Sequence, residues 1–123
     1  MASGERPLHW MRSSLKDLEK FPAAVQEHVG YALSVAQYGN KHSDAKPWKG
    51  EGPGVFEVVE DFRGDTFRAV YTVRFAEAVY VLHAFQKKST KGIATSEGDK
   101  VLIKNRLNDA IEDHRRRYGE VKA

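Results

Sequence analysis

An arginine on one predicted strand and two lysines at the end of the next are the residues of this sequence best suited to chemistry. Arg68 lies in an alternating segment, residues 66–75, and Lys87 and Lys88 follow an apolar run, residues 79–85. A guanidinium offers a planar set of donors that matches a phosphate, and adjacent lysines lower each other's pKa through like-charge repulsion. Residues of these types could bind a polyanion and transfer a proton.

These residues also have ordinary structural explanations. A mid-strand arginine is costly unless it is paired or its face of the sheet is open. The carboxylates that could pair with Arg68 are Asp61, Asp65 and Glu77. The two lysines could be a solvated strand end that discourages aggregation. His83 lies inside the apolar run, where a histidine is more often a hydrogen-bonded core residue than a catalyst.

Several other catalytic chemistries lack support in the sequence. There is no cysteine, which excludes thiolate catalysis, Cys-ligated zinc and a disulfide framework. The five histidines are scattered and show no HExxH-like ligand spacing. The chain contains no G-x-S-x-G elbow, Walker motif or G-x-G-x-x-G. The sequence therefore predicts neither a metal nor a cofactor.

The cations are positioned by three predicted strands, residues 55–60, 66–75 and 78–86. Short connections predict antiparallel pairing, which brings Arg68 close to Lys87 if the last two strands are neighbours. Alternation puts Phe67, Ala69, Tyr71, Val73 and Phe75 on one face of the middle strand, and Arg68, Val70, Thr72 and Arg74 on the other. The last strand is apolar on both faces and is predicted to be central.

Two short amphipathic helices are predicted before these strands. Ser14 is the expected N-cap of the first, with Asp17 as its capping-box partner. Pro22 starts the second, which has an apolar stripe at helical spacing, formed by Val25, Val29, Ala32, Leu33 and Ala36. Gly39 and Asn40 provide its C-terminal stop.

A third helix follows a basic loop, residues 87–94. Thr95 or Ser96 caps it, and Ser96 has capping-box spacing to Asp99. Its apolar stripe consists of Ile103, Leu107, Ala110 and Ile111. Cations from Arg115 to Arg117 suit the C-terminal end of such a helix.

Together these elements predict one α+β domain spanning residues 1–123. We expect a curved, mainly antiparallel sheet with an N-terminal helical hairpin and a C-terminal helix. Residues 1–6 are expected to be a loose terminus, residues 7–11 a short edge strand, residues 41–54 a loop with Trp48 tucked beneath it, and residues 115–123 a basic tail.

Composition supports a packed protein with a polarised charge. Hydrophobic residues make up 41% of the chain, and the net charge is +3. Residues 86–106 carry six cations against two anions, so positive charge concentrates near the end of the last strand. No apolar run approaches the ~20 residues of a membrane helix. We therefore expect a soluble, cytoplasmic protein that does not contact membranes.

Residues 67–71 (FRAVY), followed by residues 79–88 (VYVLHAFQKK), resemble RelE/HigB-like toxins of bacterial type II toxin–antitoxin systems, in particular the phage-derived HigB-like branch. The resemblance extends over residues 7–107. Supporting matches are Leu8-His9-Trp10, Ala36-Gln37, Lys46-Pro47, Gly54-Val55-Phe56-Glu57 and Lys91-Gly92-Ile93-Ala94-Thr95. Related sequences often have proline where Ser96 stands, which concerns only entry into the last helix.

This resemblance implies a RelE-like α+β fold and metal-independent endonucleolytic cleavage of mRNA, usually on the ribosome. It also implies neutralisation by a cognate antitoxin, commonly a helix-turn-helix (HigA-like) protein. The family's active-site arginine corresponds to Arg68, and its basic residues after the last strand correspond to Lys87 and Lys88. The residues expected to bind RNA are Lys46, Lys49, Arg74 and Lys91.

The resulting hypothesis is an endoribonuclease, or mRNA interferase. Lys87 or Lys88 would accept the proton of the attacking 2′-OH, Arg68 would stabilise charge on the phosphate, and His83 or a second lysine would protonate the leaving group. Two alternatives remain open. One is a non-catalytic toxin of the same fold that inhibits DNA gyrase or the ribosome by binding, and the other is an inactive phage relic.

Overall fold

The computed structural model describes residues 4–87 and 95–119, which form a five-stranded sheet with helices on both faces. In chain order the elements are β1 (Leu8–Trp10), α1 (Ser14–Glu19), α2 (Ala23–Gln37), β2 (Ala45–Pro47), β3 (Val55–Phe62), β4 (Asp65–Thr72), β5 (Val79–Lys87) and α3 (Glu97–Tyr118). The strand order is β1-β5-β4-β3-β2, with β1 parallel to β5 and the other pairs antiparallel. The predicted α+β class and mainly antiparallel sheet are confirmed.

A two-residue turn joins β3 to β4 and fixes their register. Arg63 and Gly64 both have positive φ, 53° and 88°. Two consecutive residues of this kind form the type I′ turn whose twist matches that of a hairpin. Val59 is consequently opposite Arg68. Strand β3 is thus longer than predicted, because it continues past residue 60 to the turn.

The core consists of two apolar layers, one on each face of the sheet. On the first face, side chains of α1, α2 and the sheet form one layer, which includes Val25, Val29, Leu33, Val58, Phe67, Ala69 and Tyr71. On the second face α3 packs against a layer that includes Val55, Val70, Phe75, Leu82, Phe85, Ile103 and Leu107. The β5 strand is buried from Val79 to Phe85, as expected for a central strand that meets both layers.

The predicted face of Phe75 is wrong. Alternation grouped it with Phe67 and Tyr71, but Phe75 packs in the layer beneath α3. The pairing of β4 with β5 shifts between Val70 and Tyr71, and β4 ends at Thr72. A period of two therefore does not continue as far as Phe75.

Both N-terminal helices occur, with one changed cap. The apolar stripe of α2 is buried throughout. The N-cap of α1 is Ser13, because Ser14 is the first helical residue and is fully buried. The Ser14 hydroxyl donates instead to the Val81 carbonyl oxygen at 3.3 Å, which ties α1 to β5.

The third helix begins as predicted and ends later. The Asp99 amide donates to Ser96 Oγ at 3.1 Å, and that hydroxyl donates to Asp99 Oδ2 at 2.8 Å. Helix α3 continues to Tyr118, so Arg115, Arg116 and Arg117 form its last turn, where their cations were expected, and the helix extends into the stretch predicted as a basic tail.

Two further expectations need correction. Arg6 is not loose, since its guanidinium donates to the carbonyl oxygens of Phe75 and Ala36 at 3.1 and 2.7 Å. The predicted loop, residues 41–54, contains an edge strand, β2, in which Lys46 is opposite Glu57. Trp48 is buried as expected. Among the described residues, no helix combines the length and apolarity needed to cross a membrane.

Candidate functional site

A cleft of about 580 Å³ opens on the α3 face of the sheet, at its β2 edge. Its described lining residues are Lys46, Pro47, Trp48, Lys49, Glu57, Arg68, Thr95 and Lys100. Four of these are cations and one is an acid, so the cleft carries a positive potential that favours an anionic occupant.

Strand register explains why these side chains meet. Arg68 on β4 is opposite Val59 on β3, which makes Glu57 its diagonal neighbour on the same face. Lys46 on β2 is opposite Glu57. On the other side, Lys87 of β5 is opposite Thr66, two residues from Arg68 along β4. Successive side chains of a strand alternate between the two faces of the sheet, so these four strands direct charged side chains toward α3.

Arg68 is half-buried and is held by Glu57. Its Nη1 donates to Glu57 Oε1 at 2.7 Å and lies 3.5 Å from Thr95 Oγ1. The side chains retain 20% and 16% of their exposure, so the pair borders the cleft without being fully solvated. Among the described residues, Arg68 Nε is buried and has no hydrogen-bond partner. Arg68 thus keeps unused donor capacity while Glu57 fixes its position.

The ion pair was expected with a different carboxylate. None of the three sequence candidates (Asp61, Asp65 and Glu77) pairs with Arg68, and Glu57 does. The sequence prediction ended one strand at residue 60 and began the next at residue 66, so it left the register of the hairpin open. If a two-residue turn at Arg63 and Gly64 had been assumed, Phe62 would pair with Asp65 and Val59 with Arg68. Glu57, two residues before Val59, would then lie on the same face as Arg68.

Lys87 lies on the same face of the sheet, and the charges of Arg68 and Glu57 both affect its pKa. Partial desolvation, and then the positive charge of Arg68, lower the pKa of Lys87 below its ordinary value of 10.5, while Glu57 acts in the opposite direction. A lysine with a lowered pKa is a better proton acceptor near neutral pH. Lys88 and Lys91 lie outside the described residues.

His83 is located away from the cleft. It is 6% exposed, and its ring stacks on Phe85 with centroids 4.5 Å apart. Nε2 is 2.8 Å from Asp99 Oδ1, and Nδ1 is 3.4 Å from Arg106 Nη1. Burial is the main reason that the pKa of His83 lies below 6.5. These are the contacts of a core histidine that joins β5 to α3.

Arg74 is not among the residues that line the cleft. Its Nη2 donates to the carbonyl oxygens of Glu51 and Pro53 at 2.6 and 3.4 Å. A Cβ at Gly54 would lie 3.2 Å from Arg74 Cα, so glycine is needed for this close approach. Arg74 therefore anchors the connection between β2 and β3, next to the segment that carries Trp48 and Lys49.

The lining residues that sequence reasoning did not select are Pro47, Trp48, Glu57, Thr95 and Lys100. For Lys100 a signal existed, because it lies one turn after the Ser96 cap and so near the start of α3. Trp48 was expected only as a packing residue. The geometry places it between Lys46 and Lys49 at the wall of the cleft.

The fold is RelE-like. Two solved structures share the fold. A mutant of the E. coli toxin RelE with two arginines replaced, in the free state, is 18% identical, and the match covers 87% of this chain and 98% of that chain with a TM-score of 0.54. The isolated E. coli RelE toxin is 21% identical, with 81% and 97% covered and a TM-score of 0.52.

The family follows from the sequence match. The family described as "Phage derived protein Gp49-like (DUF891)" matches residues 16–108, and the chain belongs to it. No curated protein sequence matches the chain significantly. The expected RelE-like fold and phage-derived family are thereby confirmed.

Proposed function

We propose that this protein is the toxin of a type II toxin–antitoxin module and cleaves mRNA endonucleolytically on the ribosome. The observation that carries the proposal is the cleft on the α3 face, where Arg68 is held by Glu57 among further cations. The chain shares its fold with the solved E. coli toxin RelE, and this likeness supports the proposal that it is a toxin.

In the proposed reaction, Lys87 accepts the proton of a ribose 2′-OH. The 2′-oxygen then attacks the adjacent phosphorus, the bond from phosphorus to the 5′-oxygen breaks, and that oxygen takes up a proton. The products are a 2′,3′-cyclic phosphate and a 5′-hydroxyl end. Arg68 stabilises the charge that develops on the non-bridging oxygens, because its position is fixed before the substrate arrives.

Glu57 serves mainly to orient Arg68 in this scheme. The leaving group takes its proton from solvent or from a lysine, and not from His83, whose nitrogens already face Asp99 and Arg106. No step requires a cofactor.

Substrate binding follows from the cleft's other residues. Lys46, Lys49 and Lys100 contact phosphates, which positions the chain without reading sequence. Trp48 provides an aromatic edge where an unstacked base can rest, as in other recognition of single-stranded RNA. Binding of this kind weakens steeply as salt rises.

The proposed partners are mRNA, the ribosome and a cognate antitoxin of the helix-turn-helix (HigA-like) type, all in the cytoplasm. An antitoxin that neutralises the protein would cover or distort the cleft. The neighbouring reading frame identifies this partner, since a small helix-turn-helix gene that abuts this one is expected.

The test is brief induction in a bacterial host, followed by mapping of new 5′-hydroxyl ends on mRNA. We expect discrete cuts within codons and arrest of growth. Arg68→Ala should lower cutting at least about a hundredfold, the scale on which preorganised charge stabilisation contributes to catalysis. Lys104→Ala is the matched control, because Lys104 is an exposed cation on α3 that does not line the cleft.

Two results would contradict the proposal. Intact mRNA together with DNA damage would favour the gyrase alternative, and a harmless wild-type chain without cuts would favour an inactive relic. Equal cutting by Arg68→Ala and Lys104→Ala would leave the nuclease but remove Arg68 from its site.

A further inference from the structure

A second cluster of polar side chains lies on the opposite face of the sheet from the cleft. It comprises His28 on α2, and His42 and Asp44 in the connection between α2 and β2. One potential ligand atom from each residue lies within 4.8 Å of the others. We propose that these three residues bind a divalent transition-metal ion of the zinc class and that the ion has a structural role.

The spacing of the ligand atoms suits such an ion. His28 Nε2 is 2.8 Å from Asp44 Oδ2, and His42 Nδ1 is 3.9 Å from the same oxygen. Tetrahedral zinc with bonds of about 2.1 Å to nitrogen and oxygen separates its ligands by roughly 3.4 Å. The two observed distances lie about half an ångström on either side of this value, and the histidine nitrogens lie within 4.8 Å of each other, so side-chain adjustments on that scale would bring the ligands together. Mixed imidazole and carboxylate ligands favour zinc and its neighbours over calcium or magnesium.

Carboxylates face both ring nitrogens of His28. Nε2 faces Asp44, while Nδ1 contacts Oε1 of Glu60 on β3, although without good hydrogen-bond geometry. A neutral imidazole has one N–H, so one of its nitrogens presents a lone pair to a carboxylate oxygen. An ion between Nε2 and Asp44 removes that repulsion and leaves Nδ1–H for Glu60. A carboxylate behind a ligating histidine is the usual support of a zinc site.

One existing contact must yield when the ion binds. The Asp44 backbone amide donates to His42 Nδ1 at 3.0 Å. One such bond at a partly exposed site contributes little, because water can replace the lost partner. Coordination of His42 Nδ1 by the ion would take its place. The exposed Asp44 side chain, at 55%, leaves a path for entry.

The position suggests what the ion would do. It would join α2 to the connection that precedes β2, and Glu60 would link both to β3. Ala45, the next residue after Asp44, begins β2, and Lys46 lines the cleft on the other face. The ion would thus fix the edge strand without touching the cleft. This inference does not depend on the proposed function and places no metal in the RNA reaction.

The experiment uses the full chain without a histidine tag, stripped of metal and titrated calorimetrically with zinc chloride. We expect one saturable equivalent and a higher midpoint of thermal unfolding. Asp44→Asn and His42→Ala should each weaken binding by more than about a hundredfold, and Glu60→Gln by about ten- to a hundredfold. His9→Ala is the control, because His9 is half-buried and bonds to Tyr118 outside the cluster.

Cobalt(II) provides a second readout, since a visible ligand-field band that Asp44→Asn abolishes would report direct coordination. Circular dichroism checks each variant, and Asp44→Asn decides the question if His42→Ala does not fold, because it alters an exposed residue conservatively. The proposal is overturned if the wild-type chain shows no saturable zinc binding. It is equally overturned if His9→Ala weakens binding as much as Asp44→Asn.

Discussion

The proposed reaction gives different roles to Glu57 and Lys87, which share a face of the sheet with Arg68. A carboxylate beside an arginine can act as a base, but its hydrogen bond of 2.7 Å to Nη1 already engages one oxygen. Lys87 has its pKa lowered by desolvation and by Arg68. In the proposed reaction, Lys87 is therefore assigned as the proton acceptor and Glu57 as the residue that orients Arg68.

Substitution of these two residues separates the roles. Lys87→Met should lower the cleavage rate about a hundredfold or more, the typical contribution of a positioned base. Because a lysine must lose its proton to act as a base, the wild-type rate should rise with pH toward the lowered Lys87 pKa, and Lys87→Met should flatten that rise. The measurement is a single-turnover rate on ribosome-bound mRNA between pH 6.5 and 9.

Glu57→Gln is the companion variant, since it keeps the size of the side chain and a hydrogen-bond acceptor. We expect a smaller loss than for Lys87→Met and a rise with pH that persists but moves to lower pH, because the charge of Glu57 raises the pKa of Lys87. The reverse order, with Glu57→Gln inactive and Lys87→Met active, would make Glu57 the base.

At the scale of elements, α3 contributes Lys100 to the cleft and is held at its start by Ser96. The Ser96 hydroxyl satisfies the Asp99 amide, and Asp99 also contacts His83 on β5. One short segment thus joins a helix cap, a central strand and the rim of the cleft. Thr95, just before the cap, lies 3.5 Å from Arg68.

Ser96→Ala tests this junction. Loss of an N-cap costs about 1 kcal/mol of the free energy of unfolding, and the effect should appear in urea denaturation. Ser34→Ala is the matched control, because Ser34 lies inside α2, where alanine is the better helix former and the change should be neutral or slightly stabilising. Equal effects of the two substitutions would show that the Ser96 hydroxyl has no special role.

How far the sequence predicts these elements depends on whether the signal is local. The stripe of α2, the Ser96 cap and the buried β5 follow from side-chain periods and capping chemistry, and all three were predicted. The β2 strand could not be predicted, because Ala45-Lys46-Pro47 has no strand pattern of its own and is defined only by its pairing with β3. Phe75 was misassigned because alternation was extended beyond the shift at Val70 and Tyr71.

The candidate site shows the same division. Arg68 and Lys87 were selected from their chemistry and their predicted strands, and they do share a face. Glu57 was missed because its relation to Arg68 depends on a register set by the turn at Arg63 and Gly64. His83 was selected for its chemistry, whereas its burial against Asp99 and Arg106 depends on how α3 packs.

At the scale of the whole molecule, the two proposed sites lie on opposite faces of the sheet. Helices α1 and α2 cover one face, which carries the proposed metal cluster, and α3 covers part of the other, beside the cleft. His83 on β5 stacks on Phe85 and contacts Asp99 and Arg106 of α3. Asp99 and Arg106 of α3 and Asp17 of α1 all act on its charge. Its protonation should therefore affect the stability of the entire fold.

Stability should fall on mild acidification. The pKa of His83 in the folded protein lies below 6.5, mainly because of burial, and in the unfolded chain it returns to about 6.5. Between these values the unfolded chain binds the proton and the folded protein does not, so the free energy of unfolding decreases as pH falls below about 6.5. The loss stops below the folded pKa. His9, whose pKa is also lowered by burial, adds in the same direction.

The measurement is urea denaturation from pH 5 to 7.5, with a chelator present so that His28 and His42 do not release a metal ion during the titration. Glu77 and Asp113 do not interfere, because their lowered pKa values matter only below their ordinary values of 4.5 and 3.8. His83→Gln should make the dependence on pH shallower. If that variant does not fold, the ring signals of His83 in NMR must titrate below pH 6.5. A titration above that value, or stability that rises on acidification, would contradict the coupling of β5 to α3 through a neutral, buried histidine.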